Sequence, residues 1–596
     1  MKQVTSLVLA ILMTASAFAG EAAPAQTSST AKKKSAKAKT KTTNVSEELQ
    51  EMRSLLQQQQ QQINQLKDQI QQRDQALTQA QQQATQAQSA AADAASKAQA
   101  AQAAADASAS TVTAVKTDVN DLKANATTTA LSIQEDQKKW GEAIESPLAI
   151  HFKGITITPG GFLAAETVTR QRAMASDVNT PFNSLPFSAS GPGHTTEFFG
   201  SGRQSRISLL AEGKLSTFKL TGYFETDWLS AGVTSNNNQS NSYTNRQRQI
   251  WGQVATTSGW TLTGGQMWSL IQETRKGLDP RTEALPLQID AQYVVGMSWA
   301  RQFGMRLSKN FHNKFWLGMS VENAQVNAVS GSNIPANFFV GAAGNGGGLY
   351  NATANYSFNS MPDIVFKAAV EPTATTHFEV FGVVSRFRNR IYPNALANPA
   401  SSAGAFDDSK TVGGIGANGR GYLFAKKIEL ALHAFGGQGV GRYGNSGLPD
   451  LTVHPDGTLA PLHVYNVLGE LDYHAKKWDW YFNAGSEYVA RAFYPDTTGK
   501  LVGYGIPTAN NTGCGTEGVS GLGAFTPPGT GTCTGNTRVL IEGTFGFWYK
   551  VYNGPKGRIQ FGPQYEYIVR NTWRGLGGDP NTNNNIFLTS FRYYLP

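Results

Sequence analysis

Cysteine is nearly missing from this chain of 596 residues: there are two, Cys514 and Cys533, too few to staple a fold of this length. Long apolar runs are scarce as well. Beyond the N-terminal leader no segment approaches the roughly 18 consecutive apolar residues of a membrane-spanning helix, so any membrane crossing has to be made with strands. The eight histidines are scattered without ligand spacing, and no metal site is expected from them. No Gly-x-Ser-x-Gly or phosphate-binding loop stands in a strand-to-helix setting, so hydrolase and nucleotide-binding signatures are lacking and no cofactor is expected. The most uneven scarcity is local. Residues 1–146 hold two of the 61 glycines (Gly20, Gly141), two of the 61 aromatics (Phe18, Trp140) and one of the 24 prolines (Pro24), which divides the chain near Ser146 and Pro147.

What the first part does have is pattern. Met1 and Lys2 precede the apolar stretch SLVLAILMTASAFA, which closes on Ala17, Phe18 and Ala19 before Gly20, the layout of a cleavable secretory signal over residues 1–19. A basic segment over residues 20–46 carries Lys32, Lys33, Lys34, Lys37, Lys39 and Lys41. From Leu49 every seventh residue is apolar: Leu56, Ile63, Ile70, Leu77, Ala84, Ala91, Ala98, Ala105, Val112, Val119, Ala126, Ile133 and Trp140. So long a repeat of seven predicts a left-handed coiled coil over residues 47–146, because the stripe on a straight helix would drift away from its partner. At about 1.5 Å per residue it makes a rod of roughly 140 Å. A coiled coil implies an oligomer; the competing reading is a disordered Gln/Ala linker.

Residues 147–596 read as strands. In KFWLGMSVEN, Phe315, Leu317, Met319 and Val321 oppose Trp316, Gly318, Ser320 and Glu322; in RIQFGPQYEYIVR, Ile559, Phe561, Tyr565, Tyr567 and Val569 oppose Gln560, Gln564, Glu566 and Arg570. One face is apolar and aromatic, the other polar. A soluble sandwich would turn the apolar face inward. The links argue against that: short ones near 212–217, 256–259, 310–314, 371–376, 425–427, 475–477 and 553–557 alternate with long polar ones near 173–204, 229–245, 271–291, 325–362, 391–409, 444–463, 494–537 and 573–584. Short turns at one end and long loops at the other predict an all-β domain over 147–596, a 16-stranded antiparallel transmembrane β-barrel with its turns in the periplasm. An even strand number puts both barrel ends on the periplasmic side, with the coiled coil. The closing run NIFLTSFRYYLP must then pair with the first strand near ITITPGGFLAAETVTR, since no edge can stay open in lipid, with Phe587, Phe591, Tyr593 and Leu595 facing outward.

A signal peptide, a periplasmic coiled coil, about sixteen alternating strands and an aromatic terminal strand resemble the trimeric outer-membrane porins that carry an N-terminal coiled coil, the DcaP-like porins. The likeness is architectural and covers nearly the whole mature chain. It implies a homotrimer in the cell outer membrane, in contact with lipid and lipopolysaccharide. It also implies a water-filled channel for passive diffusion of small hydrophilic solutes rather than an enzyme, with the third long loop folded inward as the constriction. The sucrose porin is also similar in having a periplasmic coiled coil, so a sugar-selective channel is the alternative. Porins of this kind usually finish on an aromatic residue, whereas this chain finishes Tyr594, Leu595, Pro596.

Charge points toward anionic solutes. From residue 147 onward there are 36 Lys plus Arg against 28 Asp plus Glu, while residues 1–146 hold 15 against 14. Arginines gather near the outer ends of strands: Arg170 and Arg172, Arg246 and Arg248, and Arg386, Arg388 and Arg390. As pore mouth or wall bases they would concentrate anions; the competing role is lipopolysaccharide contact or solvated loop charge. In the constriction loop Arg275, Lys276, Asp279, Arg281, Glu283 and Asp290 mix both signs, as a transverse field across a pore requires. Tyr223, Trp251, Trp316, Tyr481 and Trp548 would suit stacking on sugars if they face the lumen. Cys514 and Cys533 share the seventh long loop and an oxidising compartment, so a disulfide is expected. An outer-membrane lipase is the enzyme alternative. A structural one is an envelope tether, the basic segment meeting the acidic stem peptides of peptidoglycan. No nucleic-acid partner is expected.

Overall fold

The structure, a computed structural model, describes residues 149–229, 244–290, 293–331, 333–343, 355–518 and 532–596. The signal, the basic segment and the coiled coil expected over residues 1–146 lie outside the described residues.

Sixteen antiparallel strands form the wall: β1 (Ile155–Arg170), β2 in two pieces (Glu197–Ser201 and Arg206–Leu215), β3 (Phe218–Asp227), β4 (Arg246–Thr256), β5 (Trp260–Trp268), β6 (Arg301–Phe311), β7 (Phe315–Glu322) and β8 (Asp363–Thr373). The second half comprises β9 (Thr376–Ile391), β10 (Phe406–Leu423), β11 (Ile428–Gln438), β12 (His463–His474), β13 (Trp478–Val489), β14 (Thr537–Gly554), β15 (Gly557–Thr572) and β16 (Asn581–Tyr594). Each strand pairs with its sequence neighbours, and β16 pairs with β1 from Phe162↔Tyr594 to Arg170↔Ile586, so the sheet closes. Where β2 is interrupted, the Ser205 hydroxyl accepts from the Ala164 N–H at 2.9 Å and replaces the missing ladder partner. The short turns are tight: Gly259 sits at φ +90°, where an added Cβ would fall 2.6 Å from the Asn310 carbonyl oxygen.

Alternation sorts the side chains as a membrane barrel requires. Leu209, Val254, Leu307, Phe366, Val380, Leu432, Phe545, Phe587 and Phe591 are exposed on the outer surface, and Trp478, Trp480, Phe547 and Tyr549 stack against one another as an aromatic patch beside the β12–β13 turn. So broad an apolar exterior is stable only against hydrocarbon. The inner face is polar but covered, with Glu166, Lys367, Glu379, Arg420, Glu487, Glu542 and Glu566 all buried. What covers it is loop. Val178, Phe182 and Leu185 of the first loop, Leu270, Ile271, Ile289 and Val295 of the third, and Tyr443 and Leu448 of the sixth form one buried cluster with wall residues Val168, Val365, Phe381, Leu540, Ile568 and Leu588. The hydrophobic core therefore lies inside the barrel.

Candidate functional site

The third loop runs from Ser269 to Ala300, longer at its far end than the link near 271–291 expected from sequence. A loop placed inside a barrel must find partners for its backbone polar groups, and here the wall supplies them. Glu322 accepts from the Leu270 N–H (2.9 Å), Glu379 from Thr274 (3.1 Å), Glu371 from Gly277 (2.7 Å), Gln564 from Ile289 (2.6 Å), Glu542 from Val295 (2.7 Å) and Glu487 from Gly296 (3.0 Å). In the reverse sense Lys367 donates to the Gln272 carbonyl (2.6 Å), Arg306 to Leu278 (3.2 Å) and Trp548 to Leu287 (2.6 Å). With Arg592 of β16 donating to the Ile289 carbonyl, these partners span β6 to β16, so the loop lies along that arc of wall and leaves the arc from β1 to β5 facing it.

The six charged loop residues divide in two. Arg275 donates to Tyr422 (3.0 Å) and to Glu429, and Asp290 is buried, accepting from Gln288 (3.1 Å) and Gln564 (3.0 Å), its acidity weakened by burial. Neither is free to meet a solute. Lys276, Asp279 and Arg281 are exposed and Glu283 is half-buried. Burial raises the Glu283 carboxyl to about 7, and one of its oxygens has no hydrogen-bond partner. Arg281 is held at φ +74°, a conformation costly for a side chain with a Cβ, and its guanidinium lies 5.0 Å from the centre of the Tyr223 ring on β3. The loop thus reaches the facing wall at Arg281.

The outer arginines expected as mouth or wall bases are engaged by neighbouring groups, and they divide between the two faces of the wall. Arg170 is fully buried and donates to Glu197 (2.7 Å) and to the Ser176 and Asp177 carbonyls, so it organises the first loop. Arg172 is spent on the carbonyls of Asn583 (2.7 Å) and Gly193 (2.9 Å). On β9 the lumen side belongs to Glu379, Phe381, Val383, Ser385, Phe387 and Asn389, all buried, so Arg386, Arg388 and Arg390 point to the exterior. There Arg388 donates to Phe358 and Arg390 pairs with Asp407 at 2.8 Å. Arg248 does face inward because β4 bulges: Glu225 opposes Gln249 and Thr226 opposes Gln247, so Arg248 is the extra residue. It binds Glu225 and Asp227, and Arg246 grips the same Asp227 through two bonds of 2.9 and 2.8 Å. Of the aromatics, Trp251, Trp316, Tyr481 and Trp548 are buried, while Tyr223 remains half-exposed.

Three arginines not singled out from sequence gather on the inner face. Between residues 285–289 of the third loop and the wall lies a cavity of about 230 Å³ lined by Arg206, Arg558 and Arg592, with Phe162, Trp548 and Tyr594, and with Asp479 as its one carboxylate. Arg206 and Arg592 lie over Phe162 and Arg558 over Tyr594, at 5.2, 5.0 and 4.1 Å. The Nε atoms of Arg206 and Arg558 are buried with no hydrogen-bond partner. Strand parity was the available signal: Arg558 shares a face with Gln560, Gln564 and Glu566, and Arg592 with Ser590.

No family model and no curated protein sequence matches the chain. Among solved structures, the outer membrane channel DcaP of Acinetobacter baumannii aligns over 75% of this chain and 100% of its own, with 13% identity and a TM-score of 0.50. The fold is a porin's. OprB of Pseudomonas putida (73% of this chain, 94% of its own, 12% identity, TM-score 0.39) and OmpF of Salmonella typhi (75%, 100%, 9%, 0.39) are similar at a greater distance. The seventh loop of this porin-fold barrel joins Cys514 to Cys533 by a disulfide.

Proposed function

We propose that the protein is an outer-membrane porin, a water-filled path for passive diffusion of small hydrophilic solutes with a preference for anions. The observation that supports it is the arginine-lined cavity between the inward loop and the wall, where Arg206, Arg558 and Arg592 gather beside Asp479, with Arg592 also paired to Glu166 (2.7 Å) and Arg206 to Glu225 (3.7 Å). Guanidinium groups concentrate anions in a narrow, low-dielectric passage, and Arg offers a fork that carboxylates and phosphates fit. Of the loop's own acids Asp290 is buried, Glu283 is raised by burial to about 7, and the exposed Asp279 is flanked in sequence by Lys276 and Arg281. A sugar-selective channel is less well supported, because four of the five candidate stacking aromatics are buried against the loop or their neighbours. The proposal extends to a homotrimer with its coiled coil in the periplasm, and to the basic segment meeting peptidoglycan.

In planar bilayers the purified protein is expected to give discrete conductance steps. Replacing Arg206 and Arg558 together by Gln is expected to reduce anion preference in a salt gradient. Absence of steps would remove the porin reading, while steps with unaltered selectivity in the double variant would remove the assignment of that preference to these arginines.

A further inference from the structure

At the turn end of the barrel, three adjacent strands bring together Glu429, Asp472, His474 and Asp479; Glu429 also receives Arg275 of the third loop and Asp479 also lines the arginine cavity, but Asp472 and His474 have neither role. Glu429 on β11 stands opposite Asp472 on β12, and two residues further along the same face of β12 His474 stands opposite Asp479 on β13. One ligand-type atom from each of Glu429, Asp472 and His474 lies within 4.8 Å of the other two. Sequence spacing conceals this trio, because its members come from two strands and only one is a histidine.

Asp472 is the unexplained member. It is 1% exposed, and neither of its carboxylate oxygens has a hydrogen-bond partner. A buried carboxylate without a partner carries a desolvation cost that something has to offset. The neighbouring bases are already engaged. Arg420 serves Glu273 (2.8 Å), Glu429 and Glu470 (3.1 Å), Arg275 serves Glu429, and Lys550 serves Asp479 (2.7 Å). Five carboxylates (Glu273, Glu429, Glu470, Asp472 and Asp479) therefore share three permanent cations, with His474 beside them.

The histidine is oriented for coordination. Its Nδ1 lies 3.0 Å from Asp479 Oδ1 and its Nε2 3.2 Å from Glu429 Oε2, so an ion bound at Nε2 would replace the proton shared with Glu429 while Asp479 holds the ring through Nδ1. A carboxylate that fixes the far nitrogen of a histidine is also the usual support of a histidine metal ligand.

We propose that Glu429, Asp472 and His474 form a seat for a divalent transition-metal ion of the Zn²⁺ type, with Asp479 as positioning residue and with water in the remaining position. One imidazole and two carboxylates favour such an ion over Mg²⁺ or Ca²⁺, which take all-oxygen sets. The His474 side chain is 29% exposed, so the seat is open to the lumen at its periplasmic mouth. A bound dication would give the Asp472 carboxylate a partner, displace the protons held there and bridge β11 and β12. The inference is independent of solute preference.

The test uses the full-length, untagged protein in detergent, stripped with chelator and titrated with Co²⁺ as an optical probe. One Co²⁺ per chain is expected, with absorption of low-symmetry four- or five-coordination, displaced by Zn²⁺ but not by equal Ca²⁺. Asp472→Asn is expected to weaken binding at least tenfold and Asp479→Asn by about 10–100-fold, the range for a group supporting a ligand. No saturable Co²⁺ signal, or one unchanged in Asp472→Asn, would overturn the proposal. Unmodified protein gives a second reading free of folding effects. Zn²⁺ should protect His474 from acylation by diethyl pyrocarbonate, and equal modification with and without Zn²⁺ would also overturn it.

Discussion

Replacing Gly485 by alanine isolates the docking of the third loop from every charged residue near the pore. Gly485 occupies ordinary strand backbone in β13, so alanine does not strain the strand itself. Its α-carbon is pressed by the loop: an added Cβ would fall 1.7 Å from the Val295 carbonyl oxygen, and ordinary contact begins at 3.4 Å. The loop must therefore retreat by about that difference, roughly the same 1.7 Å again, or β13 must yield. Retreat stretches the two bonds that fasten this stretch, Val295 N–H to Glu542 at 2.7 Å and Gly296 N–H to Glu487 at 3.0 Å, beyond hydrogen-bonding range. A typical hydrogen bond contributes about 0.5–1.5 kcal/mol net, so docking of this limb should weaken by about 1–3 kcal/mol. The nearer limb, fastened at Leu270 and Thr274, stays in place. Single-channel recording should then show larger and noisier conductance, with circular dichroism and heat-resistant migration of the barrel unchanged. Conductance and noise equal to the unmodified channel would refute the placement of the loop against β13.

Three further outcomes follow from named groups. Burial raises Glu283 to about 7, above the usual carboxylate value, so its folded environment favours the protonated form; as pH rises through 7 the loop gains a negative charge and its docking weakens. Anion preference should accordingly grow between about pH 8 and pH 6, and Glu283→Gln should flatten that dependence; a profile identical in the variant would show that another group titrates. Arg592→Met would leave Glu166, its partner at 2.7 Å across the closing seam, buried and unpaired, at a cost of about 3–5 kcal/mol read from the unfolding midpoint in detergent, and an unmoved midpoint would refute the pairing. Reduction of the Cys514–Cys533 bridge should speed proteolysis of the seventh loop and leave the barrel's heat-resistant band intact; loss of that band would contradict a loop-only role.

Strand count and loop asymmetry were legible in sequence because alternation has a period of two and turns are short. Phe315, Leu317 and Met319 fall on the exposed face, and Ser320 and Glu322 on the covered one. The wall arginines were harder. Arg386, Arg388 and Arg390 alternate perfectly, but period two fixes only that they share a face, and the structure turns that face outward because Glu379 and Phe381 hold the lumen side. Arg248 breaks the period through a bulge, which no count of alternate residues detects. Arg170 is engaged in a different way: its charge is consumed by the loop that follows it. The lumen cavity draws residues from β1, β2, β13, β14, β15, β16 and the third loop, so its composition depends on barrel closure rather than on any local motif.

The most direct measurement is the reversal potential of the unmodified channel in a planar bilayer with a tenfold KCl gradient, at low and then at high ionic strength. Arginine-based preference acts within a screening length of about 8 Å at physiological salt, so the potential should carry the sign of anion selectivity at low salt and shrink toward zero as salt rises. A cation-selective potential, or an anionic one indifferent to salt, would contradict it.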